Sequence, residues 1–173
     1  MFFIYTDFLH AILKTLTKDT RKNLMNYILT PHKGIGKICL YSHYEDILQI
    51  LDSENIKYKI IVQDNSECTV GYTWKIIIIH DSIKLFFSEG NSKLFKISIE
   101  KNSKIKLPNG IYVGMKIEEA LICDPKLKYN EWDEIYESND DYYLEDSLLS
   151  GKVVSLNIYV KELNDDNFDE CNW

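Results

Sequence analysis

The stretch TVGYTWKIIIIHDSIKLFFSEGNSKLFKISIE, residues 69–100, decides the fold class. Its apolar residues either alternate with polar ones or form unbroken isoleucine runs, and β-branched and aromatic side chains prevail, as strands require. Three strands are expected in it, Thr69–His80, Ile83–Phe87 and Leu94–Glu100, with Gly90-Asn91 suited to a tight turn between the last two. Tyr58–Val62 adds a strand upstream. Downstream, Glu131–Glu137, Tyr142–Asp146 and Lys152–Lys161 read as a three-stranded meander, the first two joined through Ser138-Asn139-Asp140-Asp141. In its last strand Val154, Leu156, Ile158 and Val160 should share one face.

Helical periodicity is concentrated at the front of the chain. Thr6 or Asp7 can cap a first helix carrying Phe8, Ile12, Leu13 and Leu16, and Thr17 a second carrying Leu24, Tyr27 and Ile28 until Pro31 stops it. Lys37–Tyr41 is a short strand candidate. Ser42-His43-Tyr44-Glu45 matches a capping box and opens a third helix with Ile47, Leu48 and Leu51 inward; Met115–Leu121 forms a fourth, short one. The expected class is therefore α+β: N-terminal helices packed on a largely antiparallel sheet, with a C-terminal three-stranded meander. Residues 1–173 read as a single domain, sub-division into 1–107 and 108–173 being the alternative. The acidic tail Asn164–Trp173 is expected to fray, with docking of Trp173 left open.

Composition narrows the function classes. With 173 residues, 45% hydrophobic, and Trp 3, Tyr 12 and Phe 7, the chain can build a core and is not of the disordered type. Gly 7 and Pro 3 exclude collagenous and linker-like chains. The net charge of −7 argues against nucleic acid and anionic membranes as partners, since both would be repelled. Cys39, Cys68, Cys123 and Cys171 show no zinc-like spacing and read as free thiols, two disulfides being the alternative. MFFIYTDFLHAIL at the start reads as helix and not as a signal peptide, and apolar runs such as Ile76–Ile79 fall far short of the ~20 residues a membrane helix needs. A cytoplasmic location is expected.

The total conceals an uneven distribution. Residues 1–115 hold 15 basic and 11 acidic side chains, net +4, and residues 116–173 hold 5 and 16, net −11. Eight acids, Glu131, Asp133, Glu134, Glu137, Asp140, Asp141, Glu145 and Asp146, interleave with Trp132, Tyr136, Tyr142 and Tyr143. Acids speed the encounter with a basic protein and buried rings supply affinity, so these residues, less Tyr143, are nominated as a partner-binding surface. A solvated face is the plainer reading. Strand alternation also separates Trp132, Glu134 and Tyr136 from Asp133, Ile135 and Glu137, so one face cannot hold all eight acids.

No constellation argues for catalysis. Among His10, His32, His43 and His80, the nearest approaches to a nucleophile pattern are Cys39 four residues before His43 and Asp81 beside His80. Gly34-Ile35-Gly36 between Lys33 and Lys37 lacks both phosphate-loop patterns and reads as a turn. The pairs Glu118-Glu119 and Asp140-Asp141 have no partner histidine in sequence and read as solvent-facing. No catalytic residue, metal ligand or cofactor is expected.

The run from Gly110 to Leu163 resembles small bacterial immunity proteins encoded beside secreted polymorphic toxins. The shared features are a Gly114-Met115 step into a short helix with Glu118-Glu119-Ala120, a strand bearing Trp132, and Tyr142-Tyr143-Leu144-Glu145-Asp146 followed by Gly151-Lys152-Val153. The Gly-Met step alone is also similar to the beta-lactamase inhibitory protein repeat and to outer-membrane assembly lipoproteins, but no lipobox is present. The immunity resemblance implies a cytoplasmic, non-enzymatic protein that binds a cognate toxin and blocks its active site. Together with the acidic third, it points to a basic toxin, a nuclease whose phosphate ligand the carboxylates would mimic. The alternative is a generic interaction or regulatory module without a toxin.

Overall fold

A computed structural model describes residues 28–64, 73–101, 103–139, 141–165 and 168–173. The first two expected helices lie outside these residues except at their end. There the expectation fails, because Ile28 forms a bridge with Lys106 and Leu29–Thr30 is already a strand.

The described residues are mostly β, and this overturns the α+β expectation of helices packed on a sheet. Three two-residue strands, β1 (Leu29–Thr30), β2 (Gly34–Ile35) and β3 (Ile38–Cys39), make a small antiparallel sheet. Eight more make one continuous antiparallel sheet: β4 (Tyr58–Asp64), β5 (Thr73–Ile79), β6 (Ile83–Ser88), β7 (Leu94–Glu100), β8 (Lys128–Asn130), β9 (Ile135–Ser138), β10 (Tyr142–Ser147) and β11 (Lys152–Tyr159). Their spatial order is β4-β5-β6-β7-β11-β10-β9-β8, so the C-terminal meander joins the central hairpins through β11 alongside β7. Among the described residues only two α-helices occur, α1 (Tyr44–Ser53) and α2 (Ile117–Cys123).

Register fixes which side chains share a face. Ile77, Leu85, Ile97, Ile158 and Tyr142 line up across five strands, and beside them run Ile79, Ile83, Ile99, Leu156 and Leu144. All ten are buried, as are Ile47 and Leu51 of α1 and Leu29 and Ile35 of the small sheet in the same core. α1 lies on this face. Tyr44 meets the Phe87 ring edge-on at 5.2 Å, and the Tyr58 hydroxyl donates to Asp52 at 3.1 Å. At about 25 cal/mol per Å², each fully buried Ile or Leu here stabilises by roughly 1.5–3 kcal/mol.

Three local expectations are corrected. The capping box does not form: His43 is the N-cap without a side-chain bond, because the Ser42 carbonyl accepts from the Leu94 N–H at 2.9 Å and His43 bridges to Lys93. The strand expected over Glu131–Glu137 begins only at Ile135, and Lys128–Asn130 supplies a further strand paired to it. Val154 is 40% exposed while Val153 is buried. The register slips between Glu145 and Asp146, so Val154 is an extra residue, and such a bulge reverses the inward set beyond it.

Gly34 is required by a close crossing: at φ +135°, a Cβ there would collide with the Ile38 carbonyl. Gly34-Ile35 is thus strand β2 between β1 and β3, with only Gly36 in a turn, and not the turn between helix and strand that was expected.

Candidate functional site

The antiparallel order gathers two turns of the meander at one end of the large sheet. One joins β8 to β9 through Glu131, Trp132, Asp133 and Glu134; the other joins β10 to β11 through Leu148, Leu149, Ser150 and Gly151. Asn130 holds the first turn from within. Its Oδ1 accepts from the Trp132 N–H at 3.0 Å and the Asp133 N–H at 3.3 Å, while its Nδ2 donates to Asp133 at 3.1 Å. Glu134 closes the turn at φ 55°, a left-handed conformation that few non-glycine residues adopt.

The outcome is an indole presented to solvent on a pinned backbone. Trp132 is 96% exposed, Leu148 89% and Leu149 101%, while Glu131, Asp133 and Glu134 around the ring are exposed as well. Burying a tryptophan is among the largest gains a side chain can make, so one left in water is an exception to explain. The second turn is fixed by Gly151, whose N–H donates to the Ser147 carbonyl at 2.7 Å and whose carbonyl accepts from Ile117 at 2.9 Å.

The remaining nominated residues are dispersed. Tyr136 is half-buried on the core side, 5.0 Å from the exposed Tyr129 ring. Glu137 and Glu145 project from the opposite face, and Asp146 sits at the bulge. Asp141 is at the far end of the sheet, where it bonds His32 at 2.9 Å. Asp140 lies outside the described residues. Tyr142 is core: 4% exposed, it donates to Asp124 Oδ2 at 2.5 Å and accepts from Asn109 at 3.0 Å. Burial, then the Asp124 bond, pushes its hydroxyl well above the ordinary tyrosine range. Burial pushes Asp124 up as well, but the bonds donated by Tyr142 and by Ser138 (2.7 Å) outweigh it, so the carboxyl titrates below its usual range. Leu148 and Leu149 were not nominated, although two leucines beside Ser147 and Ser150-Gly151, in a stretch too polar for a strand, signalled an exposed apolar turn.

The catalytic candidates do not assemble. Cys39 and His43 are both exposed, His80 is exposed at a turn, and Asp81 pairs with Lys59 at 2.9 Å. Glu118 and Glu119 are exposed in the first turn of α2. Cys39, Cys123 and Cys171 are free thiols; Cys68 and His10 lie outside the described residues. Among the described residues no group of three or more His, Cys, Asp or Glu could hold a metal ion, and no helix is long and apolar enough to cross a membrane. Compared with known proteins, no family model, curated protein or solved structure matches the chain.

Proposed function

We propose that the protein is an immunity protein of the cytoplasm, which binds a cognate secreted toxin domain with a basic surface, a nuclease, and occludes its active site. The observation that carries this reading is Trp132, almost wholly exposed on a turn pinned by Asn130 and flanked by three exposed carboxylates. An interface of this kind divides its labour: the charges of Glu131, Asp133 and Glu134 raise the encounter rate, and the indole with Leu148 and Leu149 supplies the desolvated anchor. Carboxylates on a turn can occupy positions that phosphates take in a nuclease cleft, which explains why an acidic surface would inhibit and not merely bind.

The test is purification of the protein with the toxin encoded by the adjacent gene, followed by assay of nucleic-acid cleavage with and without it. Tight complex formation and loss of cleavage are expected. Absence of a complex refutes immunity, and a complex with a non-toxin neighbour favours a regulatory module. A complex indifferent to Trp132→Ala refutes the surface but not the function.

A further inference from the structure

The two edges of the large sheet are built differently. At one edge β8 is three residues long, a length that offers little to an incoming strand. At the other edge β4 runs for seven residues, and among the described residues no strand is paired to its outer side. Every residue from Lys59 to Gln63 is exposed. Ile60 is 46% exposed, Ile61 45% and Val62 62%, so apolar side chains stand in water on both faces of the strand. An edge that is long, regular and apolar on both faces is a template for another strand.

The pattern along β4 selects the occupant. Its apolar residues are central, and Ile61 is the midpoint of Tyr58–Asp64. Lys57 stands just before this stretch and Asp64 at its end, Lys59 being paired with Asp81. An antiparallel copy therefore sets the basic end of each strand against the acidic end of the other, whereas a parallel copy would set like against like. With a two-fold axis through Ile61, Ile61 faces its own copy on one side of the sheet. Ile60 faces Val62 of the copy on the other side, and Lys59 lies opposite Gln63. That is a self-complementary, isologous contact.

We infer that β4 is a homodimer interface, through which two copies of this chain join edge to edge into one sixteen-stranded antiparallel sheet. The turns bearing Trp132 and Leu148 belong to the meander at the opposite side of each sheet, so pairing leaves both free. Dimerisation is thus independent of whether the partner at those turns is a toxin.

Light scattering on the purified full chain decides the matter. A mass twice 20.4 kDa is expected for the wild type, and a monomer at all concentrations would overturn the inference, including the case in which β4 serves a foreign strand. Ile61→Lys and Ile61→Glu each place like charges face to face across the axis and should each give monomers with an unchanged circular dichroism spectrum. Mixed together, the two should recover the dimer, now heteromeric. A dimer that survives both substitutions, or a mixture that stays monomeric, places the contact elsewhere and overturns it. Val62→Lys is a second probe: it should also yield a monomer, and a dimer there counts against the inference.

Discussion

Nε2 of His32 lies 2.9 Å from Oδ1 of Asp141, and this contact ties the β1–β2 turn to the β9–β10 turn 109 residues along the chain. His32 holds a left-handed φ of 56°, and its buried Nδ1 has no hydrogen-bond partner among the described residues. The pair lines a polar cavity of about 360 Å³ with Asn139, Lys161, Asn164 and Asp165. Asp141 is thus half-exposed but engaged by another part of the chain, unlike the acids at the other end of the sheet. Asp141→Ala should lower unfolding free energy by about 1 kcal/mol in urea titrations and leave the proposed toxin binding intact. A loss of binding without loss of stability would return Asp141 to the interface.

Trp132 should behave in the opposite way. Because the ring is 96% exposed, Trp132→Ala should change stability by no more than about 0.5 kcal/mol. The same substitution should weaken the proposed toxin complex by about 2 kcal/mol, roughly 30-fold, measured by calorimetry. Reversing Glu131, Asp133 and Glu134 to Lys should act on association rate, and raising salt should slow the wild type but not the reversed variant.

Local signals reached some of this architecture and missed the rest for identifiable reasons. Leu94–Glu100 forms with the bounds its alternation suggests, because both of its faces pack and neither admits a shift. Strand β8 has only Lys128, Tyr129 and Asn130, too few for any period to show, and exists because Tyr129 finds Tyr136 across the pair. The two-residue strands β1 and β2 are likewise made by tertiary pairing, whereas β3 falls within the Lys37–Tyr41 candidate. In the site, composition identified the acidic aromatic third. It could not separate Tyr142, which parity turns into the core against Asp124, from Trp132, which a turn turns out to water.

Of the tail, the described residues 164–165 and 168–173 include a docked Trp173, the alternative the sequence left open, and not the expected fraying. Trp173 stacks on Phe168 at 5.1 Å with planes 9° apart, its indole N–H donates to the Phe168 carbonyl at 2.9 Å, and Lys93 Nζ donates to its backbone oxygen at 2.6 Å. Trp173→Ala should therefore cost about 2 kcal/mol, less than for a fully buried ring, and lower the thermal midpoint. Gly90→Ala attacks the same contact, since its Cβ would lie 2.5 Å from Cys171 Sγ. Faster reaction of Cys171 with a thiol reagent is expected, and an unchanged rate would show that the tail does not depend on this approach.

The sheet face opposite the main core carries a lysine in an apolar setting. Lys96 Nζ is 4.1 Å from the Phe86 ring centroid and 5.8 Å from that of Trp74, and donates to the Tyr143 hydroxyl at 3.4 Å. Burial drives its pKa below the ordinary lysine value; Glu145 and Glu100 oppose that shift and Lys84 reinforces it. A base with a depressed folded-state pKa binds its proton more weakly in the folded chain than in the unfolded one, so this term destabilises the fold at neutral pH. The penalty fades as pH rises through the folded-state pKa towards about 10.4, where the unfolded lysine also loses its proton. Lys96→Met removes the titration and keeps the bulk. The stability of the wild type relative to this variant should climb as pH rises above neutrality, read from denaturant midpoints at fixed ionic strength. A flat or falling difference would mean that Lys96 is as well solvated in the folded chain as in the unfolded one.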